Sequence, residues 1–180
     1  MSGRSIFHDA MMRPHALVAT ALFLSFVAGA RAADTVPITQ EHPMTSHTVT
    51  GPFDATLAPQ ALSDVAEHSG LGRMSLDKQF HGALEATSAG EMLGFRDAAL
   101  GSGGYVAMET VRGTLDGRAG SFVLQHSSTM TRGEPAQSIT VVPDSGTGAL
   151  AGLAGRMVVD IAPGGAHSYR FDYTLPECRE

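Results

Sequence analysis

The clearest pattern in this chain runs from Gly101 to Met130, GSGGYVAMETVRGTLDGRAGSFVLQHSSTM. Hydrophobic and polar residues alternate in its two halves, which the turn Leu115–Gly120 separates. Side chains two residues apart share one face of a strand, so the alternation predicts two long antiparallel strands. One face of the first strand carries Tyr105, Ala107, Glu109 and Val111, and one face of the second carries Phe122, Leu124, His126 and Met130. Glu109 and His126 therefore lie in apolar rows, where an isolated charge is costly. If the two strands pair about the turn, these residues lie at comparable heights, within about two residues of register.

Alternating segments also occur on both sides of this hairpin. Met74–Thr87 places Leu76, Phe80 and Leu84 on one face and is predicted as one strand that bends at Gly82. The residues from Pro59 to Gly70 predict a single helical turn or an ordered loop. Further strands are predicted at His47–Leu57, Gly90–Phe95 (which continues the Met74–Thr87 ribbon), Gln137–Val142, Arg156–Ile161 and His167–Leu175.

About eight strands with glycine-rich turns and almost no helix predict an all-β fold, either a closed antiparallel barrel or a sandwich. Gly82, Gly113 and Gly155 favour the barrel, because closing a sheet requires bends. The aromatic side chains that can fill it are few, which fits a small barrel with a modest cavity. They are Phe53, Phe80, Phe122, Tyr169, Phe171 and Tyr173.

The first residues have the pattern of a secretory signal peptide, with a basic start, the apolar stretch Ala16–Ala28 and the small-residue cleavage pattern Ala30-Arg31-Ala32. We therefore expect a signal peptide at 1–32, a flexible linker at 33–43, a barrel domain at 44–176 and a tail at 177–180. The protein is then periplasmic or secreted. The alternative is translation from Met44, which makes it cytoplasmic.

Composition excludes several classes of partner and site. The chain has a formal net charge of −6, no tryptophan and a single lysine, which does not suit nucleic acid or, after signal cleavage, a membrane surface. The single cysteine, Cys178, allows no internal disulfide. His47, His81, His126 and His167 fall on different predicted strands without metal-ligand spacing, so neither a metal nor a cofactor is expected.

Lys78, the only lysine, has the same parity as the inward-facing Leu76 and Phe80. It can point into the barrel as an anion-binding or Schiff-base group. The default for such a residue, however, is to extend from the barrel mouth into solvent.

Five segments together resemble a bacterial family of uncharacterised proteins, a domain of unknown function whose fold is similar to the allene oxide cyclase barrel of plants. The segments are Ser75–Gly82, Gly104–Glu109, Gly113–Phe122, Leu124–His126 and Pro143–Gly155. The resemblance covers about Met44 to Pro176 and implies an eight-stranded barrel, often an oligomer, with no established activity. The plant enzymes hold a water with asparagines, and this chain has no asparagine with which to build that site the same way.

We therefore expect a barrel that binds an apolar or amphipathic small molecule in its interior. Glu109 and His126 would orient a polar end of the ligand. The expected lining residues are Leu76, Phe80, Tyr105, Phe122, Leu124, Tyr169 and Phe171. One alternative is an isomerase or cyclase with Glu109 as base and His126 beside it. Another is a solidly packed structural module whose outer face forms a homo-oligomer.

Overall fold

The computed structural model describes residues 44–176, which form a closed antiparallel barrel of eight strands. The strands are β1 (Met44–Gln60), β2 (Gly72–Phe80), β3 (Leu84–Asp97), β4 (Ser102–Leu115), β5 (Arg118–Thr131), β6 (Glu134–Val141), β7 (Ala154–Ile161) and β8 (His167–Pro176). Each strand pairs with the next, and β8 pairs with β1 from Phe53↔His167 to Met44↔Pro176. This last pairing closes the sheet, so the predicted all-β barrel is confirmed and the sandwich is excluded.

The hairpin predicted between Gly101 and Met130 is present as β4 and β5. Its turn is tighter than the predicted Leu115–Gly120 turn, because Leu115 pairs with Arg118 and leaves only Asp116 and Gly117 between the strands. Two-residue connections of this kind suit the right-handed twist of paired strands.

The prediction of one bent strand over Met74–Thr87 is wrong, because this segment is a hairpin. β2 ends at Phe80, and Gly82 has a φ of +97° in the turn that leads into β3. Leu84 lies four positions after Phe80, an even number, so both side chains still face inward. The alternation of hydrophobic and polar residues therefore continues through the turn, and periodicity alone does not detect the turn. The predicted segment Gly90–Phe95 lies within β3.

Two short 3₁₀ helices lie between strands of the described region. The first, Asp64–Ala66, is the single turn predicted between Pro59 and Gly70. The second, Gly148–Leu150, was not predicted, and it buries Leu150 against the barrel. No helical segment within residues 44–176 has the length and apolar character needed to cross a membrane. The predicted signal peptide, linker and tail, including Cys178, lie outside the described residues.

Aromatic and aliphatic side chains pack one half of the barrel, here called the closed half. All six aromatic residues named above belong to it, and none exposes more than 4% of its surface. The ring centroids of Phe122 and Phe171 lie 5.7 Å apart, and those of Phe80 and Tyr169 lie 5.6 Å apart in an edge-to-face arrangement. Such contacts add to the free energy gained by burying apolar area.

In the other half, here called the open half, several inward-facing positions are glycines. Gly72 pairs with Gly94 across β2 and β3, and Gly103 pairs with Arg96 across β3 and β4. Glycines at these positions provide no side chain to fill the interior. The same inward-facing rows that pack the closed half therefore leave space in the open half.

The hydroxyl of Tyr169 links β8 to the β2–β3 turn, and removing this hydroxyl tests how far the link stabilises the barrel. Its hydroxyl donates to the carbonyl of His81 at 3.0 Å and accepts from the backbone N–H of Leu84 at 3.2 Å. We expect Tyr169→Phe to lower the free energy of unfolding by about 1–3 kcal/mol, because buried backbone groups lose their partner. Urea unfolding measures this change.

Tyr173→Phe is the matched control. The Tyr173 hydroxyl donates to the exposed carboxylate of Asp116, which water can solvate once the bond is lost. A loss of stability as large as that of Tyr169→Phe would contradict the proposed role of the buried bonds.

Candidate functional site

Glu109 lies on the inner face of β4 with 1% of its surface exposed, at the centre of a group of four polar side chains. Its Oε1 accepts hydrogen bonds from Lys78 Nζ and His126 Nε2, each at 2.7 Å, and its Oε2 accepts one from Ser88 Oγ at 2.6 Å. An ionised carboxylate only accepts, so His126 donates through Nε2. We call Lys78, Ser88, Glu109 and His126 the Glu109 cluster.

The four strands β2 to β5 each contribute one member of the Glu109 cluster. Ser88 is the register partner of Lys78, and His126 lies two residues beyond Leu124, the partner of Glu109. The register offset between Glu109 and His126 is therefore two residues, within the predicted limit of about two. Strand register thus brings together side chains that are far apart in sequence.

Gly90 pairs with Glu109 and allows β3 to approach β4 closely at this point. A Cβ atom added to Gly90 would lie 2.6 Å from the Glu109 Cα and 2.1 Å from the carbonyl oxygen of Met108. Any larger residue would push the two strands apart. Gly90 therefore helps to place the carboxylate among its donors.

The Glu109 cluster keeps a carboxylate charged inside the barrel. Burial by itself would raise the pKa of Glu109, but the hydrogen bond from His126 and the positive charge of Lys78 outweigh it and lower the pKa to about 2. The Lys78 ammonium also lies 5.4 Å from the ring centroid of Phe53 and 5.7 Å from that of Phe80. The two unit charges of Lys78 and Glu109 therefore compensate each other in a mostly aromatic environment.

The sequence did not predict two members of the Glu109 cluster correctly: Lys78 was expected in solvent, and Ser88 was missed. Lys78 exposes 6% of its surface, so it points into the barrel, and the default expectation that it extends from the mouth into solvent is wrong. Its shared parity with Leu76 and Phe80 was the signal for the inward position. Ser88 was not predicted, and its parity with Leu84 and Ala86 was the only signal available.

A cavity of about 680 Å³ occupies the open half of the barrel and opens to solvent. Its wall is formed by Gly70, Leu71, Gly72, Met74, Met92, Gly94, Phe95, Arg96, Gly101, Ser102, Gly103, Gly104, Tyr105, Ser128, Thr129 and Met130. Of the predicted ligand-binding residues, Tyr105 belongs to this wall. Burial, assisted by the charge of Glu109, raises the pKa of the Tyr105 hydroxyl, which is therefore neutral at physiological pH.

The remaining predicted ligand-binding residues lie deeper in the barrel. His126 lies one inward position before Ser128 on β5, and Glu109 lies two inward positions after Tyr105 on β4, so both lie just below the cavity. Leu76 occupies the next inward position after Met74. The other five belong to the packed core of the closed half, and their contact with a ligand stays a prediction. They are Phe80, Phe122, Leu124, Tyr169 and Phe171.

The histidines considered as metal ligands lie apart from one another. His47 stacks on Tyr173, His81 bonds the carboxylate of Asp54, and His126 belongs to the Glu109 cluster. His167 packs against Phe53. Within residues 44–176, no group of three or more histidine, cysteine, aspartate or glutamate residues is arranged to hold a metal ion.

Comparison with known proteins identifies relatives of unknown function. A family model described as "Protein of unknown function (DUF3224)" matches residues 49–173. The chain is similar to the crystal structure of a DUF3224-family protein of unknown function from Shewanella oneidensis MR-1, with a TM-score of 0.67 and 47% sequence identity. That alignment covers 75% of this chain and all of the Shewanella chain. A search of curated proteins finds no match.

The ion pair in the Glu109 cluster predicts strongly coupled effects of mutation. We expect Glu109→Gln to destabilise the protein by about 3–5 kcal/mol, because it leaves the Lys78 charge buried without its counter-charge. The double variant Lys78→Met with Glu109→Gln carries no buried charge at these positions and should cost less than the sum of the two single changes. Denaturant unfolding of all four proteins measures the coupling, and additive losses would show that the pair does not interact as described.

The lowered pKa of Glu109 predicts a specific loss of stability in acid. The pKa of Glu109 is about 2 when folded and returns to its ordinary value of 4.5 when unfolded, so protons bind more tightly to the unfolded chain. This difference in pKa corresponds to a contribution of about 3 kcal/mol from ionised Glu109 to the free energy of unfolding. The contribution is fully present above pH 4.5 and disappears as the pH falls to about 2.

Unfolding free energies measured across this pH range test that contribution. The difference between wild type and Glu109→Gln should shrink steadily over the same interval, while other carboxylates affect both proteins alike. A difference that is constant with pH would refute the assignment.

Proposed function

The chain belongs to DUF3224, a family of proteins of unknown function, and we propose that it binds an apolar or amphipathic small molecule in the open half of its barrel. The observation that carries the proposal is the cavity of about 680 Å³. Pockets that hold small molecules usually measure about 300–1,000 Å³ and combine apolar walls with a few polar groups. This cavity has both properties.

The apolar part of the cavity wall suits ligands of variable shape. Met74 and Met92 face each other across β2 and β3, and Met130 lies at the end of β5. Methionine side chains are flexible and polarizable, so they adapt to irregular apolar surfaces. We therefore expect a ligand with an apolar body, and the methionine side chains can adapt to bodies of different shape.

Polar contacts to the ligand are best supplied by hydroxyl groups of the wall. Tyr105, Ser128 and Thr129 all line the cavity. The Tyr105 hydroxyl is hydrogen-bonded to the Ser128 side chain, and each hydroxyl can both donate and accept. Both carboxylate oxygens of Glu109 can only accept, and both already accept hydrogen bonds from the protein. In this proposal Glu109 and His126 form a polar floor below the ligand, and the hydroxyl groups meet its polar atoms.

The alternative of an isomerase or cyclase with Glu109 as base has less support. A general base works best when its pKa lies near the operating pH, and the pKa of Glu109 is lowered to about 2. The carboxylate would take up a proton only weakly at neutral pH. A carboxylate with so low a pKa therefore favours binding over base catalysis.

The alternative function, a structural module, concerns the outer surface of the barrel and not the cavity. The outer faces of β3 and β4 expose Leu93, Phe95, Val106 and Met108, and Leu93 pairs directly with Val106. Exposed apolar clusters of this kind often mark contacts between proteins. A homo-oligomer through this face stays a prediction that is compatible with ligand binding in the cavity.

Filling the cavity tests the proposed site. A Cβ atom at Gly72 has no neighbour closer than the Gly94 carbonyl oxygen at 4.0 Å, so Gly72→Leu can be accommodated and its side chain would occupy the open half. We expect wild type to bind the neutral dye Nile red, with decanol displacing it, and Gly72→Leu to lose most of this binding. Fluorescence titration measures both effects.

Ala89→Leu is the control, since Ala89 lies on the exposed outer face of β3. It should bind the dye as wild type does, and thermal unfolding should confirm that both variants are folded. Equal binding by Gly72→Leu and wild type would place the dye outside the cavity and reject the proposal.

A further inference from the structure

We infer that the ligand is an anionic amphiphile whose headgroup is bound by Arg96 at the mouth of the cavity, an inference that rests on the proposed binding function. Arg96 is the one charged residue among the described residues that form the cavity wall. The rest of that wall consists of glycine, apolar and hydroxyl-bearing residues. The charge of Arg96 therefore decides which ionic ligands the wall favours.

Arg96 is placed where a headgroup would lie if the apolar body entered the open half. It has the inward parity of Met92 and Gly94 on β3, one position before the strand ends at Asp97. Its register partner is Gly103, which has no side chain to cover it. The cation thus lies at the solvent end of the cavity, and the apolar groups Met74 and Met92 lie further inside.

The guanidinium of Arg96 forms no ion pair with the other residues that the structure describes. Among residues 44–176, ion pairs involve Arg73, Lys78 and Arg170 together with two histidines, and Arg96 takes part in none of them. The neighbouring carboxylate of Asp97 instead accepts the backbone N–H groups of Ala99 and Leu100. Arg96 is therefore free to bind an anion from outside the chain.

Among the described residues inside the barrel, no uncompensated negative charge opposes an anionic ligand. The charge of Glu109 is compensated by Lys78 at 2.7 Å, and the Tyr105 hydroxyl is neutral. The whole chain has a net charge of −6, so a cavity wall whose one charged residue is a cation differs from the rest of the chain. A cationic amphiphile would meet Arg96 as a like charge and gain no compensating partner in the wall.

The chemistry of arginine limits the headgroup to oxyanions. Its planar guanidinium donates two parallel hydrogen bonds to a carboxylate, sulfate or phosphate. A carboxylate matches this geometry with two oxygens, as does a sulfate ester. These groups share the chemistry that Arg96 recognises, and comparing decanoate with decyl sulfate distinguishes a carboxylate from a sulfate ester.

Isothermal titration with four ten-carbon probes tests the inference: decanoate, decyl sulfate, decanol and decyltrimethylammonium. We expect wild type to bind decanoate more tightly than decanol, and decyltrimethylammonium most weakly. Arg96→Gln should weaken decanoate binding by about fivefold and leave decanol binding unchanged, since the exposed ion pair is worth about 1 kcal/mol. The preference should also decrease as salt is added.

Arg112→Gln is the matched control, because Arg112 lies on the exposed outer face of β4 and its loss changes the net charge equally. It should leave all four affinities unchanged.

A preference for decanoate over decyl sulfate identifies a carboxylate as the favoured headgroup, and equal binding identifies oxyanions in general; both results support the inference. Equal affinity for decanoate and decanol, unchanged by Arg96→Gln, would overturn the inference while leaving the binding function intact. If no probe binds in a manner sensitive to Gly72→Leu, the proposed function itself fails.

Discussion

The buried carboxylate of Glu109 imposes the constraint on which the centre of this barrel depends. A charge removed from water must be compensated by close donors, and here β2, β3 and β5 each provide one to a residue of β4. A register shift of one residue would turn Lys78 or Ser88 to the outer face and leave the carboxylate short of a donor. The Glu109 cluster therefore specifies how four neighbouring strands align, beyond what apolar packing alone requires.

The Glu109 cluster also lies between two halves of different character. Towards one end, aromatic residues such as Phe80 and Phe122 fill the interior; towards the other, glycines such as Gly72 and Gly94 leave it open. The cluster is satisfied from within the protein, so it does not require a ligand to be stable. This arrangement is what supports binding in the open half with the charged groups as its floor.

Much of the fold could be predicted from alternation, whereas the shape of the interior could not. The parity of Glu109 and His126 predicted their shared interior because register follows from the short β4–β5 turn. The β2–β3 turn escaped detection since Phe80 and Leu84 keep the same parity across it. Parity also does not tell which inward residues pack together and which surround space. The aromatic residues pack in the closed half, whereas glycines and methionines line the cavity, so the predicted contact of the aromatic residues with a ligand stays a prediction.

A crystal structure of the protein soaked with a bromine-labelled decanol tests most directly whether the open half is a binding site above an intact polar floor. We expect anomalous bromine density inside the cavity, near Met74, Met92 and Tyr105, with the three hydrogen bonds to Glu109 unchanged. Bromine density confined to the outer surface, or density among the closed-half aromatic residues with Lys78 displaced from Glu109, would contradict this expectation.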